Sequence, residues 1–163
     1  MENNYEHKQN GGFAMYFAGL TIIFMATAFY YILKKAPLND FADKINCIIF
    51  LVAGILSVGV LVWAALLMSS LNIKIDADFV RVIFGMGMFR KKFALKDIIY
   101  CKTVKNKWWH GWGIHMCGGG WLYNVSGFDA VEITMASGRK NRIGTDEPEK
   151  LAEAIGPMIN QER

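Results

Sequence analysis

Three side chains that commonly bind metal ions, His110, His115 and Cys117, lie close together in the sequence. A structural zinc site needs four ligands, and it usually shows two closely spaced pairs such as Cys-x-x-Cys. The sequence offers no second pair, although His115 and Cys117 would share a face if they lie on one strand. The spacing therefore predicts neither a metal nor another cofactor.

Clustered carboxylates occur near the end of the chain, in the segment Gly144–Pro148 with Glu149 directly after it. A general acid–base pair needs two carboxylates that converge in a cleft. Asp146 and Glu149 instead match a helix capping box, with Pro148 in the first turn. No Ser-His-Asp or Cys-His arrangement has supporting sequence context, and no glycine motif for nucleotides is complete. The sequence therefore predicts that the chain is not an enzyme.

Four of the five tryptophans lie in one glycine-rich stretch from Lys107 to Trp121. Such a stretch is typical of a ligand groove, a protein interface, a belt at the bilayer surface, or a small core of large rings beside glycines. We expect at least one ring to be exposed, with Trp108 and Trp109 pointing to opposite sides and Trp112 and Trp121 in the core. The candidate partner-binding residues are Trp108, Trp109, Trp112, His115 and Trp121.

A second candidate surface is the segment Met86–Lys92, which has apolar residues at a glycine turn followed by three cations. Apolar tips beside clustered cations are suited to shallow contact with anionic lipid. The alternative is an ordinary hairpin with a solvated charged face. The candidate lipid-contact residues are Met86, Met88, Phe89, Arg90, Lys91 and Lys92.

Two apolar runs precede these segments, and each is long enough to cross a bilayer as a helix. Gly11–Leu33 and Ile45–Leu71 contain no Asp, Glu, Lys or Arg. The connector between them contains Pro37 and Asn39, which favour a turn. The sequence predicts a transmembrane hairpin over residues 1–71, with polar and frayed residues at 1–10, and a separate domain over residues 72–163.

The orientation of the hairpin follows from the basic residues near its ends. Six such residues lie on the side of the termini and three lie in the connector, which favours both termini in the cytoplasm. Residues 72–163 have a net charge of +4, with acids and bases interleaved. This mixture suits a neighbour of anionic lipid better than a nucleic-acid binder.

The part of the chain after the hairpin alternates apolar and polar residues in short runs bounded by Gly, Ser or Asn, as antiparallel strands do. The predicted strands are 71–76, 79–84, 88–95, 97–104, 113–117, 121–125, 130–135 and 140–143. A helix follows, in which Leu151 and Ile155 are expected to be buried and Gly156-Pro157 to end or kink the helix. The pattern predicts an α+β fold with a curved antiparallel sheet plugged by a C-terminal helix.

This plan resembles the bacterial pleckstrin-homology-like membrane proteins. The resemblance is carried by IKIDADFVRVIFG (73–85), FALKDI (93–98), the Trp/Gly stretch within 111–127 and RIGTDEPEKLAEAI (142–155). It implies a pleckstrin-homology-like β-barrel behind two spans in a bacterial cytoplasmic membrane, and it implies no enzyme. The turn at Asp76-Ala77-Asp78 is acidic, so we do not expect it to bind a phosphoinositide.

Two functions from different classes follow from these features. The first is a membrane-anchored binding module that recognises a protein or lipid beside the bilayer. The second is a subunit or assembly factor whose hairpin packs against other membrane proteins. The expected partners are the bilayer, anionic headgroups, and another membrane protein or a second copy of this chain.

Overall fold

The computed structural model describes residues 5–35 and 40–161, with side chains described as far as Ile159. The expected turn through Pro37 and Asn39 lies outside the described residues. The strands are β1 Tyr5–Asn10, β2 Ser70–Ile75, β3 Phe79–Phe84, β4 Phe89–Ala94, β5 Ile98–Lys105, β6 Gly113–Cys117, β7 Gly120–Asn124, β8 Asp129–Met135 and β9 Lys140–Gly144. The α-helices are α1 Gly12–Lys35, α2 Phe41–Leu67 and α3 Pro148–Gln161.

The helices α1 and α2 form one compact unit, Phe13–Leu66. With 24 and 27 residues, both are long and apolar enough to cross a membrane. Ala18 is the one buried residue within α1, and α2 has none. The second helix begins four residues before the predicted span. It also ends four residues before the predicted end, because Ser70 and Leu71 already belong to β2. Two long apolar helices followed by sheets confirm the coarse α+β prediction.

The second unit contains the residues up to Gly12 together with those from Leu67 onward. Its first strand, β1, comes from residues that were expected to be frayed, so that expectation was wrong. β1 pairs antiparallel with β2, from Tyr5 opposite Ile75 to Asn10 opposite Ser70. Gln9 is buried, and its side-chain amide donates a hydrogen bond to the carbonyl oxygen of Ser126. The strand is therefore held by pairing and by this polar contact, although it is poor in apolar residues.

All eight strands predicted after the hairpin are present, but they form two sheets. The first sheet has the order β1-β2-β3-β4, and the second has the order β5-β8-β9-β7-β6. Neighbours in both sheets are antiparallel except β7 and β9, which are parallel. A 3₁₀ turn at Leu95–Asp97 separates β4 from β5, and the strands that the structure describes form no closed barrel. The pleckstrin-homology-like barrel that the resemblance implied is therefore not confirmed.

The core of this unit is built from the inner faces of both sheets and from α3. Leu151 and Ile155 are fully buried, as predicted. The helix continues through Pro157 to Gln161, so Gly156-Pro157 does not end it. The buried core includes Leu71, Ile73, Ile75, Val80, Val82, Phe84, Val131, Ile133, Ile143, Leu151, Ile155 and Ile159.

Candidate functional site

The turn between β3 and β4 presents the apolar residues of the first candidate surface. Gly85 and Gly87 have φ values of 56° and 93°, which L side chains rarely adopt. Met86 lies at the tip and is 84% exposed, and Met88 is partly exposed. The Nε of Arg90 donates to the carbonyl oxygen of Gly87 at 3.2 Å, which fixes the guanidinium against the turn.

The residues after this turn divide between the two sides of the sheet. Arg90 and Lys92 lie opposite Ile83 and Arg81 on the outer face. Lys91 lies on the other side, with its Nζ 5.8 Å from the ring centre of Phe93. Because successive strand residues alternate in direction, the six predicted lipid-contact residues do not form one surface.

Phe89, another of the predicted lipid-contact residues, lies on the core side of the sheet. Its ring lies 5.9 Å from the ring of Phe84 and 6.4 Å from that of Tyr123, against the core. Phe89 therefore supports packing between the two sheets.

The four tryptophans of the glycine-rich stretch are all exposed, and we call them the tryptophan surface. Their exposed fractions are 76% for Trp108, 60% for Trp109, 41% for Trp112 and 43% for Trp121. This confirms that at least one ring is exposed, but the expectation that Trp112 and Trp121 lie in the core was wrong. Trp112 precedes β6, and Trp121 pairs with the exposed Met116 near the glycine turn that joins β6 to β7.

Trp108 and Trp109 begin a 3₁₀ turn, so the extended geometry expected for them does not apply. Their rings meet edge to face at 5.9 Å, and the Nζ of Lys107 lies 4.8 Å from the ring centre of Trp109. A cation over an indole face is attracted by the ring quadrupole. This contact holds the indole while leaving it exposed.

The same turn contacts a group of polar side chains on the outer face of the second sheet. The Nδ1 of His110 lies 3.5 Å from the Sγ of Cys117, and Arg142 Nη1 lies 3.6 Å from the same sulfur. Arg142 also donates to Glu132 at 2.9 Å and to Asn106 at 3.3 Å. Partial burial and the positive charge of Arg142 lower the pKa of His110.

The contact between Cys117 and His110 is only part of what a metal site would need. His115 is half-buried, and its Nε2 has no hydrogen-bond partner among the described residues. Nowhere in 5–35 and 40–161 do three His, Cys, Asp or Glu side chains converge as metal ligands would. Alternation along β8 and β9 could have placed Glu132 beside Arg142, but nothing in the sequence signalled their link to Cys117.

The acidic turn before α3 contacts the N-terminal strand. Asp146 Oδ1 lies 2.5 Å from the Nε2 of His7, and Glu147 Oε2 lies 3.4 Å from the Nδ1 of His7. Burial, together with Glu147 and Asp146, raises the pKa of Tyr5 to about 12. The hydroxyl of Thr145 accepts a hydrogen bond from the backbone N–H of Glu147. The turn therefore anchors β1 to the start of α3.

Comparison with known proteins identifies no relative: no family model matches the chain, and neither a curated protein nor a solved structure does.

Proposed function

We propose that this chain is a membrane-anchored interaction module at the cytoplasmic face of a bacterial membrane. The tryptophan surface is its binding surface. The observation that carries the proposal is the exposure of all four tryptophan rings, which lie within one stretch of the chain from Trp108 to Trp121. Tryptophan is enriched in protein interfaces and at the bilayer surface, because it combines a large apolar area with one hydrogen-bond donor.

The membrane anchor is supported by the exposure of α1 and α2. A core helix of a soluble protein buries one face, whereas large apolar side chains such as Phe24, Phe50 and Leu56 are more than 60% exposed. A cleaved signal sequence fits poorly, because β1 precedes α1 and forms part of the first sheet. Cleavage within α1 would separate that strand from the rest of the chain.

A pleckstrin-homology-like organisation remains part of the proposal. Its support is the arrangement of two sheets that share one core, into which α3 packs. We propose no enzymatic activity for this domain. The carboxylates of the acidic turn contact His7, whereas Cys117 contacts His110 and Arg142. The groups considered for catalysis are thus engaged with different partners.

The test is site-specific photo-cross-linking of the full chain in cells. A photoreactive amino acid at Trp108 should give a discrete cross-linked product with a partner protein or lipid. The matched control is Tyr100, an exposed aromatic residue on β5 that is not part of the tryptophan surface. Equal products from both positions, or none from Trp108, would contradict a binding role for the tryptophan surface.

The alternative function is a subunit or assembly factor of a membrane complex. It is favoured by an apolar pocket of about 300 Å³ within the helical unit, lined by residues of α1 and α2 such as Ala26, Phe29 and Gly54. Small residues let a neighbouring helix approach closely. Purification in mild detergent separates the two functions, because a subunit retains a stoichiometric protein partner while a module is recovered alone.

A further inference from the structure

A polar pocket of about 500 Å³ opens on the first sheet, beside the turn between β3 and β4. Its lining contains the cations Lys8 and Arg90 and the uncharged polar residues Asn10, Ser70 and Asn72. No acidic residue is among those described as lining it. Two cations beside neutral hydrogen-bonding side chains favour an anion.

The positions of the two cations are fixed by the pairing of four strands. Lys8 lies opposite Asn72, Asn72 opposite Ile83, and Ile83 opposite Arg90. Three steps of roughly 4.8 Å separate Lys8 from Arg90 along this row. Both side chains are long and lie on the outer face of the sheet, so they can approach one anion from opposite sides.

Two of the three cations in the adjacent row of the same face, Lys74 and Arg81, are already in ion pairs. Lys74 pairs with Glu6 at 2.6 Å, and Arg81 forms an ion pair with Asp76. Lys92 lies over the ring of Phe79, with 5.9 Å between its Nζ and the ring centre. Lys8 and Arg90, by contrast, form no ion pair with any residue that the structure describes. Their charge is therefore available to a ligand.

The lining residues are also close in sequence to both apolar helices. Asn10 lies two residues before the start of α1, and Ser69 lies two residues after the end of α2. At about 3.8 Å between successive Cα atoms, each of these two lining residues is within two Cα steps of a helix end along the chain. If these helices span a bilayer, lipid headgroups are the anions nearest to the pocket.

We propose that this pocket binds the phosphate of an anionic phospholipid headgroup, with Lys8 and Arg90 as the charged contacts. The source of the phosphate rests on the proposed membrane anchor. A zwitterionic headgroup is disfavoured, because its own cation would be repelled by the two basic side chains.

The test uses the full chain purified in a neutral detergent and titrated with short-chain phosphatidylglycerol, phosphatidylcholine or inorganic phosphate, with bound ligand counted by native mass spectrometry. The wild type should prefer phosphatidylglycerol. In the double variant Lys8→Gln/Arg90→Gln, affinity for it should fall about tenfold or more, as expected for two headgroup contacts. The matched control Lys91→Gln/Lys92→Gln removes the same charge from outside the pocket and should retain the preference.

Three results would overturn the proposal. An equal loss of affinity for phosphatidylglycerol in both double variants would mean that binding depends on the overall surface charge and not on this pocket. Equal affinity of the wild type for phosphatidylcholine and phosphatidylglycerol would show that there is no preference for an anionic headgroup. Inorganic phosphate binding as tightly as phosphatidylglycerol would identify a site for a soluble anion. If the double variant does not fold, the charge-retaining variant Lys8→Arg/Arg90→Lys should still prefer phosphatidylglycerol, and its loss of preference would also refute the site.

The membrane anchor is measured separately, by extraction of membranes with alkaline carbonate. A chain released by carbonate would refute the anchor, whereas the detergent titration would still decide whether the pocket binds the lipid. The two failures are therefore distinguishable.

Discussion

The imidazole of His7 lies 2.5 Å from the carboxylate of Asp146, although 139 positions separate the two residues in the chain. His7 belongs to the strand before the first apolar helix, and Asp146 belongs to the turn before the last helix. The hairpin is therefore inserted into the domain, which is closed by residues from both sides of it. This arrangement makes the N-terminal strand a structural element whose loss can be measured.

Tyr5 provides a pH-dependent measure of that strand. Burial, together with Glu147 and Asp146, raises its pKa from 10.0 to about 12 in the folded protein. The folded state thus keeps the phenolic proton at a pH where the unfolded chain loses it. The stabilisation is complete below about pH 10 and is lost as the pH rises toward 12.

Between about pH 10 and 12, we expect the free energy of unfolding of Tyr5→Phe to fall less steeply than that of the wild type, because phenylalanine has no phenolic proton to lose. Tyr100→Phe, a substitution at an exposed position, should not reduce the slope in this way. Urea unfolding of the full chain in detergent, followed through this pH range, measures the difference. The same alkaline slope in Tyr5→Phe and wild type would mean that Tyr5 is not packed as described.

The junction between β1 and α1 leaves no room for a side chain at Gly11. A Cβ atom there would lie 1.8 Å from the carbonyl oxygen of Met68, and the N–H of Gly11 donates to the carbonyl oxygen of Ser69 at 2.9 Å. We expect Gly11→Ala to lower the free energy of unfolding by about 1–3 kcal/mol, as overpacking does. Gly19→Ala is the control, because no atom lies within 4 Å of the added carbon outside the helix backbone. Equal stability of the two variants would contradict the close approach.

The docking of α3 is tested at Leu151, whose side chain is fully buried. Leu151→Ala should lower the free energy of unfolding by about 2–5 kcal/mol, a typical loss for a large-to-small core substitution. Glu153→Ala, at an exposed position of the same helix, should change it by about 0.5 kcal/mol or less. Denaturant titration of both variants measures these changes. A small change in the free energy of unfolding for Leu151→Ala would mean that the helix is not docked.

The tryptophan surface should contribute little to stability. Trp108→Ala is expected to change the free energy of unfolding by about 0.5 kcal/mol or less, since its ring is mostly exposed. Phe84→Ala, at a fully buried ring, should cost about 3–5 kcal/mol. Thermal unfolding compares the stability of the two variants, and acrylamide quenching of tryptophan fluorescence checks that the rings are exposed. A large loss at Trp108 would assign the segment to the core.

The sequence predicted the strands after the hairpin because alternation and turn residues are local signals. It did not predict β1, since YEHKQN has only one large apolar residue, and pairing with β2 together with the contacts of Gln9 and His7 holds the strand. The parallel pairing of β7 with β9 is likewise a long-range contact. Local periodicity favours a meander, which this pairing replaces.

The candidate surfaces were predicted in part for the same reason. Clusters of Trp, Met and Lys are visible in a sequence, but the direction of each side chain depends on register. Lys91 and Phe89 were grouped with Arg90, yet alternation places them on the other side of β4. Lys8 was not among the predicted site residues, because only the four-stranded pairing brings it into the row that contains Arg90.

We propose that the two spans are inserted into one domain that lies on a single side of the membrane. Single cysteines at Glu6, Asp40 and Glu153, in a chain whose native cysteines are replaced by serine, test it directly with an impermeant thiol reagent on intact cells. We expect labelling at Asp40 only, with Glu6 and Glu153 labelled after permeabilisation, because the basic residues favour cytoplasmic termini and β1 pairs with β2. Labelling of Glu6 and Glu153 from opposite sides of the membrane would contradict the account.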